Sequence, residues 1–151
     1  MKNIVFTLSA LAVIVGCGNT TPSGTYSGNG GSWSTENTNA SSSEKSEQLS
    51  QISSLSSQSR ERALELQRVI ERNIGGGSDL DRMIGNMGEI NRLAADSSQD
   101  LSERMTRIAS LASSCERDAE EIKGIINRYI GGGSDFDPII SNMRSIQSLA
   151  K

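Results

Sequence analysis

The chain predicts an all-α protein: two tandem helical hairpins, each a long helix, a Gly-rich turn and a short helix, forming an elongated bundle or coiled-coil-like array. Three observations lead there. The hexapeptide Ile74-Gly75-Gly76-Gly77-Ser78-Asp79 recurs as Ile130-Gly131-Gly132-Gly133-Ser134-Asp135, 56 residues further on. Its flanks recur with it, 15 of 27 positions being identical between Arg68–Ala94 and Gly124–Ala150. Apolar residues around both copies return at spacings of three and four, which places them on one face of a helix. Aromatics make up only 3% of the 151 residues, so the core must be built from aliphatic side chains and Met in narrow seams.

The N-terminus reads as an address. Lys2 is followed by an apolar run from Ile4 to Val15, too short to span a bilayer comfortably and ending in small residues, as a secretion signal does. Ile14-Val15-Gly16-Cys17 resembles the bacterial lipoprotein signal, whose lipobox is an apolar residue, a small or apolar one, Gly or Ala, then Cys. The resemblance implies that residues 1–16 are a signal peptide removed before Cys17, and that Cys17 carries acyl chains on its sulfur and its new amino terminus. Several chains together hold a protein to a membrane where a single one is marginal. Gly18, rather than Asp, after the Cys resembles the pattern for an outer-membrane destination in a Gram-negative cell. In a Gram-positive cell the same signal leaves the protein on the outer face of the plasma membrane.

From Cys17 to residue 43 the chain is Gly, Ser, Thr and Asn with almost no apolar residues, apart from Tyr26 and Trp33. It buries too little to offset backbone entropy and is expected to be a flexible tether.

The first hairpin is expected over residues 44–94. Ser41 and Glu44 have capping-box spacing, so the long helix should begin near Ser41 and run to about Asn73. Its seam is Leu49, Ile52, Ala63, Leu66 and Ile70, with Ser56 and Ser59 in the slots between. Serines in the seam make the helix weak alone, so it needs partners. In the hexapeptide, Ile74 should close an apolar contact at the helix end, and the first Gly should take the left-handed conformation. The Ser-Asp pair should cap the short helix Leu80–Ala94, whose stripe is Leu80, Met83/Ile84, Met87, Ile90 and Leu93.

Residues 95–101 connect the repeats in one of two ways. Ala95-Asp96-Ser97-Ser98-Gln99-Asp100 looks like a loop ending in a new cap. Yet neither Gly nor Pro occurs from Glu89 to Lys123, and one heptad slot runs Met87, Ala94, Leu101, Ile108, Cys115, Ile122, Tyr129. A single continuous helix across the connector is the alternative.

The second hairpin, residues 102–151, repeats the first. Its long helix, about Leu101–Tyr129, has the seam Met105, Ile108, Ala112, Cys115, Ala119, Ile122 and Ile126. Its short helix, Phe136–Ala150, has the stripe Phe136, Ile139/Ile140, Met143, Ile146 and Leu149. Pro138 belongs in a first turn, which favours Asp135 or Asp137 as the cap.

Several function classes are disfavoured. The net charge of −3 becomes −4 without Lys2 (14 basic minus 18 acidic), with both signs interspersed, so no nucleic acid is expected as a partner. The chain has no His, the usual general base and commonest metal ligand. The glycine motif lacks the Lys of a P-loop, and the Asp79/Asp81 and Asp135/Asp137 pairs lack the distal Glu of a calcium loop. Glu120/Glu121 and Asp79/Asp81 are the close carboxylate pairs, and both read as solvent-facing. No catalytic residue, cofactor or metal is expected.

The expected role is therefore a non-catalytic, structural or protein-interaction one in the cell envelope. The membrane would be engaged through the lipid anchor on Cys17, and an envelope protein or a second copy would be the partner. Two further readings stand beside it. Murein lipoproteins also combine a lipobox, a heptad-patterned helical body and a C-terminal Lys. The similarity implies that Lys151 is joined to peptidoglycan, although the Gly turns depart from that family's uninterrupted helix. The apolar stripes could alternatively enclose a small apolar ligand. Cys115 reads as a buried seam residue, since Ser59 fills its slot in the first repeat; the competing reading is an intermolecular disulfide.

Overall fold

The computed structural model describes residues 37–151, with side chains from Ser42 onward. The signal segment, Cys17 and the tether up to residue 36 lie outside the described residues. Four helices follow: α1 (Asn37–Asn73), α2 (Asp81–Ala95), α3 (Leu101–Tyr129) and α4 (Asp137–Leu149). Among the described residues there is no strand. The all-α prediction holds.

Each helix packs on two others: α1 on α2 and α4, and α3 on α2 and α4. The direction of every pair can be read from side-chain bonds. Ser56 meets Met87 while Gln67 meets Asp81, so α2 runs back along α1. Arg82 meets Asp118 while Arg104 meets Leu93, so α3 runs back along α2. Lys123 meets Asp137 while Glu116 meets Gln147, so α4 runs back along α3. Asn142 on α4 then reaches Ser59 on α1 and closes the ring. The result is an up-down-up-down four-helix bundle rather than an open array of hairpins.

The seams form its core. Ile52, Met83, Met87, Ile90, Leu93, Ile108, Phe136, Ile139, Met143 and Ile146 are fully buried, and Leu49, Leu66, Met105 and Leu149 pack at its margin. The seam serines are buried with their hydroxyls satisfied, as a buried polar group requires. Ser56 Oγ donates to the Met87 carbonyl at 2.8 Å, and Ser59 Oγ to the Leu55 carbonyl at 2.8 Å.

The helix boundaries differ from expectation at three places. Helix α1 already includes Asn37, so Ser41 lies within it rather than at its N-cap. Residues 37–43, expected to belong to the tether, are thus helical. The chain between the repeats breaks, which removes the continuous-helix alternative. Asp96 turns extended (φ −78°, ψ 107°), and its carboxylate accepts from the Ser98 N–H at 2.9 Å, a local bond that competes with helix. Asp100 then caps α3, its Oδ1 accepting from the Glu103 N–H at 3.0 Å.

The third difference is in the glycine turns. Two glycines of each copy are left-handed, not one: Gly75 and Gly76 (φ 73° and 84°), and Gly131 and Gly132 (φ 80° and 88°). A single 3₁₀ turn, Gly77–Leu80 or Gly133–Phe136, then leads straight into α2 or α4. Because the chain enters already wound, the N–H groups of Asp79 and Asp135 bond to the Gly76 and Gly132 carbonyls. The side chains of Ser78, Asp79, Asp135 and Asp137 make no cap bond. Pro138 does sit in the first turn of α4.

Candidate functional site

Helices α1 and α3 both end, and α2 and α4 both begin, at one end of the bundle. That end carries the two Gly turns; the chain enters α1 and leaves α4 at the other.

The turns are held by side chains six residues upstream of the third glycine. Glu71 Oε2 accepts from the Gly77 N–H at 2.8 Å, and Asn127 Oδ1 accepts from the Gly133 N–H at 2.9 Å. A second matched pair ties each long helix to its short one: Gln67 Nε2 donates to Asp81 Oδ1 at 2.6 Å, and Lys123 Nζ to Asp137 Oδ1 at 2.5 Å. Sequence reading missed both devices. The repeat offset pairs Glu71 with Asn127 and Gln67 with Lys123, but those residues differ chemically, so identity between the copies did not flag them.

The same end holds every exposed large hydrophobic side chain among the described residues. Val69, Ile74, Ile125, Tyr129 and Ile130 are 51%, 54%, 46%, 74% and 50% exposed. Ile74 and Ile130 therefore do not close the helix ends as expected; Leu80 and Phe136, at the close of the 3₁₀ turns, are the buried plugs. The exposure repeats: Val69 and Ile125 are equivalent positions, as are Ile74 and Ile130, and Tyr129 stands where the first repeat has Asn73. Isolated exposed apolar residues are ordinary; among the described residues these are confined to one end and recur in both repeats.

Charges without ion-pair partners surround them. Arg68, Arg72 and Arg128 are exposed near the ends of α1 and α3, and Asp79 and Asp135 are exposed at the approaches to α2 and α4. Away from this end Arg92, Arg107 and Arg144 are ion-paired, whereas Arg60, Arg62 and Arg117 are not, among the described residues. Arg144 spans Glu116 and Glu120 at 2.6 and 3.1 Å, and Arg107 reaches Glu89 at 3.1 Å.

Beside the turns, an open groove of about 430 Å³ runs between α2 and α3, lined by Asp79, Arg82, Asp118, Glu121, Ile122 and Ile125. Asp118 is buried, and its carboxylate accepts two bonds from Arg82, at 3.0 Å from Nε and 2.7 Å from Nη2. That bond to Asp118 raises the Arg82 pKa. The equivalent positions in the other repeat are Pro138 and Arg62, which cannot form the pair.

The remaining sequence-predicted positions lie apart from this end or outside the description. Cys17 is outside the described residues. Lys151 is exposed just beyond α4, at the opposite end, beside a groove also lined by Lys45, Gln48 and Leu101. Cys115 is fully buried, with Sγ 3.6 Å from the Met83 carbonyl, and burial pushes its thiol up to about 12. While the bundle is closed the sulfur cannot meet a second molecule, so the disulfide reading requires opening. Asp79, Asp81, Glu120 and Glu121 are all exposed. Among the described residues no cluster of three potential metal ligands occurs, and no helix is long and apolar enough to cross a membrane.

Set against models of known protein families, curated proteins and solved structures, the chain matches none.

Proposed function

We propose that the protein is a membrane-anchored cell-envelope lipoprotein with a non-catalytic, structural or protein-interaction role. Lipid on Cys17 would hold it to the outer membrane of a Gram-negative cell, on the periplasmic side, or to the outer face of a Gram-positive plasma membrane. The observation that carries the interaction role is the placement of Val69, Ile74, Ile125, Tyr129 and Ile130 at one end of the bundle. That end is the one farthest along the bundle from where the chain enters α1 at Asn37. A helical body would thus carry an apolar, charge-ringed face at the end opposite the start of α1.

The test is crosslinking of a tagged chain in intact cells, followed by purification and mass spectrometry of everything attached to it. The expected result is an acylated Cys17 and a repeatable protein adduct on residues of the Gly-turn end. An unmodified Cys17 on the mature chain would overturn the anchor. Adducts spread evenly over the helices would overturn the docking end. One observation favours a second reading, a peptidoglycan-linked tether: Lys151 is exposed beyond α4 and accessible to modification. A muropeptide on Lys151 would establish that reading in place of the first.

A further inference from the structure

The charges at the Gly-turn end narrow what docks there, given that this end is the docking surface. The four helices stand at the corners of a square, with α1 and α3 on one diagonal and α2 and α4 on the other. The α1 corner carries Arg68, Val69, Arg72 and Ile74, with the Glu71 carboxylate turned onto the Gly77 N–H; the α3 corner carries Ile125, Arg128, Tyr129 and Ile130. The other two corners carry Asp79 and Asp135 without ion-pair partners among the described residues, and the α2 corner also holds Arg82, whose charge is taken up by Asp118. Basic and apolar corners therefore alternate with acidic ones.

The two repeats are also related by an approximate two-fold along the bundle axis. Asn142 on α4 bonds to Ser59 on α1, and Asn86 on α2 stands beside Cys115 on α3, the positions one repeat away. A square end with this alternation and this symmetry is complementary to itself. Two bundles meeting end to end, about a two-fold perpendicular to their axes, place the α1 corner of one over the α2 corner of the other. The α3 corner then lies over the α4 corner. Arg72 faces Asp79 of the second copy, Arg128 faces Asp135, and each contact occurs twice. Turning the two-fold by a right angle pairs Arg72 with Asp135 instead, and the match survives because the repeats are equivalent. The apolar side chains are covered in the same movement.

We infer that the Gly-turn end docks on the same end of a second copy of this chain. This is an isologous contact, which closes on itself and does not propagate into a filament. An anionic lipid surface fits the end less well, because Asp79 and Asp135 would face like charge. The helical part of such a pair spans roughly 110 Å, taking the rise of about 1.5 Å per residue along each 37-residue α1. The two chains enter it from opposite ends.

The experiment uses the full-length chain in the cells that produce it, with a photo-crosslinking benzophenone residue in place of Ile74 or Tyr129, and of Lys45 as the opposite-end control. The expected result is an adduct of twice the chain mass from Ile74 and Tyr129, containing this chain alone, and none from Lys45. A chain carrying Arg72→Glu with Arg128→Glu, or one carrying Asp79→Arg with Asp135→Arg, should lose roughly tenfold of that adduct when produced alone, since like charges then meet at four places. Producing the two variants together should restore it, which a folding defect would not allow. Adducts from this end to a different protein only would overturn the self-pairing and leave the docking surface standing. Absence of any adduct from this end would overturn both.

Discussion

The Arg104 guanidinium donates from Nε to the Leu93 carbonyl at 2.8 Å and from Nη2 to the Ala94 carbonyl at 3.0 Å. A buried cation on α3 thereby satisfies two carbonyls in the last turn of α2, where the helix has no further N–H to offer them. Replacing Arg104 with Met keeps much of the packing volume but strands both carbonyls. Arg104→Met should lower unfolding free energy by about 2–3 kcal/mol, measured by urea denaturation. Gln48, at the equivalent position of the first repeat, makes no such bond, so Gln48→Met should cost much less by the same measurement.

The third glycine of each turn has no room for a side chain. A Cβ on Gly133 would lie 2.6 Å from the Asn127 side chain and 2.7 Å from the Lys123 carbonyl; on Gly77 the nearest atoms are at 3.0 Å. Gly133→Ala should therefore destabilise by about 1–3 kcal/mol, and Gly77→Ala by less. By contrast, Gly85 and Gly124 sit inside α2 and α3 with nothing within 4 Å of such a Cβ. Gly85→Ala and Gly124→Ala should each stabilise by about 0.5–1 kcal/mol. Thermal melts of the four variants would show the opposite signs directly.

Cys115 should behave as a core residue. Its thiol, raised chiefly by burial and secondarily by Asp118, should react with a disulfide reagent only as fast as the bundle opens. The folded protein keeps this proton to about 12, whereas the unfolded chain loses it near 9.0. Between those values the folded state binds more protons, so stability should fall as pH rises through the window. Cys115→Ser should remove that contribution to the slope. It should cost no more than about 1 kcal/mol, because Ser59 occupies the same slot buried and accepts from Asn142 as Cys115 meets Asn86.

Acid should weaken the bundle through three carboxylates. Glu116 is held below the usual carboxylate range by hydrogen bonds from Arg144 and Gln147, Glu89 by its bond from Arg92, and Asp96 by its bonds from Ser98. The unfolded chain takes up protons at these groups before the folded one does. Their contribution is thus present above about 4.5 for the two glutamates and about 3.8 for Asp96, and lost as pH falls below those values. Arg144→Gln should flatten the acid limb of a stability–pH curve, and added salt should flatten it further, since these pairs are largely exposed.

Most of the helical content was legible because periodicity is a local property. Leu101–Tyr129 matched at both ends, and nearly every seam residue from Ile52 to Ile146 is buried. The turn's need for left-handed glycine was equally local, as was the Asp100 cap. The misses arose where several local solutions competed. Ser78 and Asp79 are good capping residues, yet the 3₁₀ turn satisfies the N–H groups first and leaves them no task. Ile74 and Ile130 follow the C-terminal hydrophobic pattern, yet Leu80 and Phe136 occupy the space they would have filled.

By itself, then, the sequence determined the duplication, the helices, the glycine turns and the residues that form the seams, all of which depend on neighbours a few positions away. Only the tertiary structure decided that the seams close into one four-cornered bundle, because α4 returning to α1 is a contact across 83 positions, made by Asn142 and Ser59. It also decided that Val69, Ile74, Ile125, Tyr129 and Ile130 share one end. They are apolar in a sequence where apolar residues otherwise mean core. Their exposure follows from where two parallel helices of the ring stop together, which no local pattern encodes.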